Sequence, residues 1–187
     1  MASEIYLPIP SVAMIVLIAG PECSGKSTLA RQLATEFEGS LLDEHAVKYL
    51  DRISRPYDYN DLGMIAREHF EKLNNLLNED ADRPIFLDTW LINIKIWSLY
   101  RYSKYDSWID QALDYIQIDH CLLLQPNIPW EQNPYRENAE DRDVLFEHYQ
   151  NELNRLNWAY DEIDQQDYNR FLQSKNYLLQ KISQSGT

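Results

Sequence analysis

The sequence predicts an α/β fold in which a mostly parallel sheet carries helices on both faces, with a lid segment late in the chain. Three observations lead there. Short apolar runs of strand length alternate with stretches whose apolar residues recur every three or four positions. The first run passes at once into a glycine-bounded turn and then into a helical pattern. The length, 187 residues, suits one domain with a proper core and leaves no room for two independent catalytic units.

Each element follows from local pattern. After a lead carrying Pro8 and Pro10, Met14-Ile15-Val16-Leu17-Ile18-Ala19 is continuously apolar, as a strand buried on both faces must be, and Gly20 ends it. From Gly25 the period changes: Leu29, Leu33 and Phe37, with Ala30 and Ala34 beside them, mark an amphipathic helix closed by Gly39. Ser40-Leu41-Leu42-Asp43 reads as a brief second strand, and Glu44 to Leu50 as a turn into a helix that stops before Pro56. Asp61 is the expected cap of a long helix with an apolar stripe of Leu62, Ile65, Phe70, Leu73, Leu76 and Leu77, ending in the acidic turn Glu79-Asp80-Ala81-Asp82. Pro84 to Asp88 is the third strand.

Residues 90 to 115, rich in Trp and Tyr, read as two short helices split near Ser103 to Asp106. Ile118 to Leu124 is the fourth strand, and residues 126 to 141 are turn-rich. Asp143 to Leu156 has Leu145, Tyr149, Leu153 and Leu156 at helical spacing; a weak fifth strand lies around Trp158 to Ile163; Phe171, Leu178 and Ile182 mark a final helix.

Charge narrows the function. Lys and Arg number 17 against 30 Asp and Glu, a formal charge of −13, which repels nucleic acid and anionic membranes over most of the surface. Any anion must therefore meet a local positive pocket. The longest apolar stretch, Val12 to Ala19, is far short of the roughly 20 residues of a membrane span, and no Lys or Arg precedes it as a secretory leader requires. Cys23 and Cys121 form no CxxC or Cys/His cluster, so the expectation is a reducing, cytoplasmic setting.

Gly20-Pro21-Glu22-Cys23-Ser24-Gly25-Lys26-Ser27 satisfies GxxxxGK[ST] between a predicted strand and a predicted helix, which implies a P-loop NTPase fold. The glycines let backbone N–H groups curl around phosphate oxygens, Lys26 neutralises the β and γ phosphates, and Ser27 offers its hydroxyl to Mg²⁺. The expected ligands are ATP and Mg²⁺, with the nucleotide held by Gly20, Glu22, Cys23, Ser24, Gly25, Lys26, Ser27 and Thr28. Asp88, at the end of an apolar strand, is the second candidate metal residue. Thr89 follows it where a motor ATPase usually has a glutamate, and no Asn-Lys-x-Asp stretch reads guanine, so a small-molecule kinase fits better.

A kinase needs an acceptor-holding carboxylate and arginines that close over the transferring phosphoryl group. Asp43 and Glu44, just past the second strand, lie where a crevice opens at the carboxyl ends of strands, and Glu44 is the favoured residue. Arg136 and Arg142 lie in the turn-rich lid, about 126–142, where they either act on phosphate or pair with nearby carboxylates. Trp90, Trp97, Tyr100, Tyr102, Tyr105 and Trp108 offer faces to a flat ligand, although core packing is the commoner use of such residues, and Trp130 would anchor the lid. His120, inside an apolar strand pattern, is expected in the core. Arg170 and the segment after residue 158 are expected to border the adenine.

The phosphate loop Gly-Pro-Glu-Cys-Ser-Gly-Lys-Ser-Thr-Leu-Ala, Glu44, Asp88-Thr89, and the run Cys121-Leu-Leu-Leu-Gln-Pro-Asn-Ile-Pro-Trp-Glu-Gln-Asn-Pro-Tyr-Arg136-Glu-Asn followed by Arg142 together resemble the ribosylnicotinamide kinase domain of the bifunctional NAD-salvage and regulator proteins. The similarity runs from about Met14 to Ile182, and the Pro-Trp…Arg lid is its most specific part. The resemblance implies ATP-dependent phosphorylation of the ribose 5′-hydroxyl of nicotinamide riboside, giving nicotinamide mononucleotide. It places Lys26 and Ser27 on phosphates and metal, Glu44 and Asp88 on acceptor and metal, and Arg136 and Arg142 over the phosphates. Departures fall on the acceptor side: Val47 where the family often has an arginine, Asn133 for a lid aspartate, and Trp90 after Asp88-Thr89 where an acid is usual. None of His45, His69, His120 and His148 forms the HxGH of a nucleotidyltransferase, so a stand-alone kinase is expected. The competing readings are a nucleotide-binding regulatory module and a kinase of another nucleoside or nucleotide.

Overall fold

A computed structural model describes residues 14–80, 82–133 and 136–185. The proline lead, Val12, Ala81, Pro134 and Tyr135 lie outside the described residues. Five strands, β1 (Met14–Ala19), β2 (Ser40–Leu42), β3 (Pro84–Asp88), β4 (His120–Leu124) and β5 (Tyr160–Ile163), form one sheet in the order β2-β3-β1-β4-β5. Every pairing is parallel, with Ile15 opposite Ile85, Leu17 opposite Cys121, and Cys121 opposite Tyr160. The described residues form seven helices, the last after the final strand: α1 (Lys26–Glu36), α2 (Ala46–Arg52), α3 (Tyr59–Glu79), α4 (Leu91–Tyr102), α5 (Trp108–Tyr115), α6 (Arg142–Arg155) and α7 (Asp167–Ser185). This is the parallel α/β architecture the alternating pattern predicts.

Because successive strand residues face opposite sides, one apolar run serves two cores. Met14, Val16 and Ile18 of β1 pack with Phe86, Leu122 and Leu124 against Leu29 and Leu33 of α1 and Leu178 of α7. Ile15, Leu17 and Ala19 pack with Ile85, Leu87 and Leu123 on the other face, under Leu62, Ile65 and Leu73 of α3 and the α4–α6 layer. A buried ion cluster joins that layer: the Lys95 ammonium lies 2.7 Å from Asp110 and 2.6 Å from Glu152, and Arg155 reaches both carboxylates. No described helix is long and apolar enough to cross a membrane.

Several boundaries move. The cap of α3 is Asp58, not Asp61: the Asp58 carboxylate accepts the Asn60 N–H at 2.7 Å, while Asp61 sits at the third helical position and accepts the Asp58 N–H at 2.7 Å. The two aspartates complete a reciprocal capping box. Residues 44 and 45 precede α2 rather than belonging to it, and β4 begins at His120 rather than Ile118, because the Asp119 carboxylate takes the Ile15 N–H at 2.7 Å beside the strand pair. His120 is half-buried beside Tyr177 rather than in the core, and Ile182 on α7 is exposed. β5 begins at Tyr160, two residues later than the pattern suggested.

Candidate active site

Parallel strands deliver all their following loops to one edge, and the phosphate loop emerges there from the central strand β1. Gly20 has φ 137°, and a Cβ there would lie 2.6 Å from the Leu124 carbonyl oxygen, so only glycine lets the loop leave β1 this close to β4. Gly25 caps α1 with φ 83°. Between them the loop closes on itself: the Ser24 hydroxyl and the Lys26 ammonium both donate to the Pro21 carbonyl, at 2.8 and 2.7 Å. The N-terminus of α1 thus points its free N–H groups and its positive dipole end at the same space as Lys26.

Beneath the loop lies Arg170, a buried guanidinium that donates to the Ser24 carbonyl, the Asn127 side chain and the Gln165 carbonyl. Burial lowers its pKa from the usual arginine value. It braces the phosphate loop against the segments that follow β4 and β5.

The two candidate carboxylates after β2 part company. Asp43 turns outward to Lys48 at 3.3 Å and Arg31 at 3.6 Å, whereas Glu44 turns into a cavity. Burial raises the Glu44 pKa; Lys26 and Arg136 lower it, while Asp88 and Glu22 push it further up. Asp88 ends β3 almost fully buried, and burial raises its pKa against the Ser27 hydroxyl, Lys26 and the Glu44 backbone N–H, all of which favour the carboxylate. Its Oδ1 has no hydrogen-bond partner among the described residues. An unpartnered buried carboxylate oxygen beside a phosphate-loop hydroxyl fits a hard divalent cation that takes few protein oxygens and completes its shell with phosphate and water.

Thr89, next along, is buried with φ 71°, and its N–H reaches the Ile18 carbonyl at 3.3 Å. A β-branched residue rarely adopts this backbone conformation. The turn carries the chain from β3 into α4, so that Asn93, Trp97 and Tyr100 face the cavity.

That cavity, about 360 Å³, has the phosphate loop as its floor. Glu44, Val47 and Leu50 form one wall, Thr89, Asn93, Ile96, Trp97 and Tyr100 a second, and Leu145 and Tyr149 of α6 a third. The Asn93 amide joins two walls by donating to the Tyr149 hydroxyl at 2.8 Å. Of the six aromatics singled out in the sequence, Trp97 and Tyr100 line the cavity; Trp90 is fully buried against Phe70 and His69, and Trp108 packs on Phe70. Asn93 and Tyr149 carry no motif, and only their convergence reveals them.

Of the described residues between β4 and α6, Asn133, Arg136 and Asn138 line the cavity. Arg136 lines the cavity and donates to the Glu131 carbonyl at 2.8 Å. Arg142 does not line it: it is the first residue of α6, donates to the Ile128 carbonyl at 2.8 Å and lies 5.8 Å from the Trp130 ring, where it braces the lid base. Glu137 accepts from the Tyr57 hydroxyl at 2.9 Å and from Arg101, and the Tyr100 hydroxyl donates to Asp141 at 2.6 Å.

A parallel 2-3-1-4-5 sheet with a phosphate loop on its central strand and a cavity beyond it is a P-loop fold, similar to the folds of nucleoside and nucleotide kinases. The family model described as AAA domain matches residues 15–170, and the chain belongs to that family. The NadR protein in complex with NR superposes with a TM-score of 0.78 at 18% identity, over 91% of this chain and 52% of that one. Thymidylate kinase from Ehrlichia chaffeensis gives 0.64 at 17% identity, over 88% of this chain and 98% of that one. Deoxyadenosine kinase from M. mycoides gives 0.63 at 14% identity, over 89% and 100%. The chain spans about half the length of the NadR chains it matches, 44% and 52%. The sequence has no match among curated proteins.

Proposed function

We propose that this chain is an ATP-dependent kinase that phosphorylates the ribose 5′-hydroxyl of nicotinamide riboside, giving nicotinamide mononucleotide, and that it works in the cytoplasm as one kinase domain with a lid at about 126–142. The observation that carries the reading is the meeting of Lys26 and Glu44 in one cavity whose far walls are aromatic and apolar. One end suits polyphosphate and the other a flat ring bearing a hydroxyl. Nicotinamide riboside carries a pyridinium cation, and the cavity offers such a charge the aromatic rings of Trp97 and Tyr100 and the carboxylate of Glu44. The likeness to NadR in complex with NR, and the motif resemblance, point the same way.

In this reading the 5′-hydroxyl oxygen attacks the γ-phosphorus of ATP as the bond from that phosphorus to the β,γ-bridging oxygen breaks, and ADP leaves. The hydroxyl proton passes to the Glu44 carboxylate. Lys26, released from the Pro21 carbonyl, holds the β and γ phosphates, and Arg136 faces the charge on the transferring phosphoryl group. Ser27 and Asp88 would hold Mg²⁺, which when bound neutralises phosphate charge and orients the donor. Arg142 keeps the lid in place from its base.

The test is ADP release from Mg-ATP by purified protein, without acceptor and against a panel of ribosides and nucleotides. Strong stimulation by nicotinamide riboside, abolished in Lys26→Ala, is expected. Stimulation by another nucleoside alone would move the substrate, and a flat panel with measurable ATP binding would overturn the kinase in favour of a regulatory module.

A further inference from the structure

We propose that Glu22, at a variable position of the phosphate-loop motif, is a positioning residue for the lid arginine: its carboxylate clasps the backbone just after Arg136 and so sets the guanidinium over the cavity. Glu22 Oε2 accepts the backbone N–H groups of Glu137 at 3.0 Å and Asn138 at 3.2 Å, and Oε1 lies 3.5 Å from the Asn138 amide nitrogen. The neighbouring Cys23 holds the other end of the same loop, its sulfur accepting the Glu131 N–H at 3.4 Å and lying 3.7 Å from the Glu131 carbonyl. Arg136 sits between these clasps, its guanidinium on the Glu131 carbonyl and its own N–H on that of Asn133 at 3.0 Å.

A phosphate-loop motif needs its glycines, lysine and hydroxyl for the nucleotide, and leaves the intervening side chains free. Here two of those side chains, at consecutive positions, meet Glu131 on one side of Arg136 in sequence and Glu137 and Asn138 on the other, more than 100 residues away. The phosphate loop is thereby tied, through Glu22, to the backbone next to Arg136. A carboxylate accepting two backbone N–H groups makes charge-assisted bonds, roughly twice as strong as neutral ones. Burial raises the Glu22 pKa, while those two N–H groups and Lys26 favour its ionised form.

The inference rests on the kinase reading in one respect, that Arg136 acts on the transferring phosphoryl group. Two readouts separate the two ideas. Amide hydrogen exchange, resolved by residue in the full chain, is expected to show Glu137 and Asn138 exchanging at least tenfold faster in Glu22→Ala than in the native protein. Glu22→Gln, which keeps one acceptor oxygen, should fall between, with the α1 amides unchanged. Equal exchange at 137 and 138 in native protein and Glu22→Ala would overturn the clasp, whatever the substrate proves to be. In riboside-stimulated turnover, Glu22→Ala is expected to lower kcat roughly tenfold with KM for ATP within about twofold, and Glu22→Ala/Arg136→Ala to be no slower than Arg136→Ala. Losses that multiply in the double variant would overturn action through Arg136. A flat acceptor panel would sink the kinase reading alone, and the exchange measurement would still decide the clasp.

Discussion

Lys95→Ala removes the cation at the centre of the ion cluster that joins α4, α5 and α6. The Lys95 side chain is 3% exposed and its two carboxylate partners, Asp110 and Glu152, are 30% and 12% exposed, so the cluster is mostly withdrawn from water. Taking one partner from a buried ion pair costs about 3–5 kcal/mol, because the remaining charge is left uncompensated. Arg155 stays within 3.1 Å of Asp110 and 2.7 Å of Glu152 and covers part of that deficit, which places the expected loss at the lower end, about 3 kcal/mol. In a domain of this size each kcal/mol moves Tm by about 2–4 °C, so the variant should melt about 6–12 °C lower.

Urea denaturation and thermal unfolding at pH 7 measure both numbers. The deficit should shrink in acid: burial raises the Asp110 pKa, but the hydrogen bonds from Lys95 and Tyr105 and the charges of Lys95 and Arg155 outweigh it and hold the pKa below the ordinary value. The stability that Asp110 contributes is therefore full above the ordinary carboxylate range and is lost as pH falls through its lower folded-state value. A loss under about 1 kcal/mol at pH 7 would refute the reasoning and mark the cluster as a solvated one of the surface kind. The cluster ties α4, which carries Trp97 and Tyr100, to α6, which carries Tyr149, so the same substitution should loosen two walls of the cavity.

Other predictions follow from single contacts. Asp61, drawn down to about 2 by hydrogen bonds from Arg55, with further ones from the Asp58 N–H and Tyr49, contributes stability that is full above about pH 4 and lost as pH falls toward 2. Asp61→Asn should remove that acid limb from a plot of unfolding free energy against pH; an unchanged limb would refute the assignment. Glu44→Gln should lower kcat by roughly 10²–10⁴ and abolish an acid limb that lies above the ordinary glutamate pKa, since burial raises it. Wild-type turnover of Glu44→Gln would remove Glu44 from the proton transfer. Gly20→Ala forces a Cβ to within 2.6 Å of the Leu124 carbonyl at φ 137° and should cost about 1–3 kcal/mol along with ATP affinity; unaltered melting and binding would show that the turn yields easily.

What the sequence makes legible is what depends on neighbours in the chain. The β1 run, the phosphate loop and the α1 period announce themselves within 25 residues because strand, turn and helix each impose a local pattern. Asp58 and Asp61 show the limit of such patterns. Both are capping residues three apart, and only the reciprocal hydrogen bonds decide which one stands outside the helix. Glu44 can be placed near a crevice from its strand and is the favoured residue there, yet Asp43 beside it stays an alternative that only the turn decides, sending one side chain to Lys48 and the other inward. Arg142 shares the lid's composition but is captured by α6. Asn93 and Tyr149, 56 residues apart, meet only through the packing of α4 on α6, and no spacing rule connects them.

Thr89 bears on any attempt to engineer this chain. A glycine there would adopt φ 71° without the steric cost that threonine bears, about 1–3 kcal/mol for residues in such conformations. Thr89→Gly would relieve that cost but give up the contacts of a buried side chain, and would loosen the turn from which α4 starts. A library screened on heat alone would weigh backbone strain at that one position without regard to the direction in which α4 leaves β3.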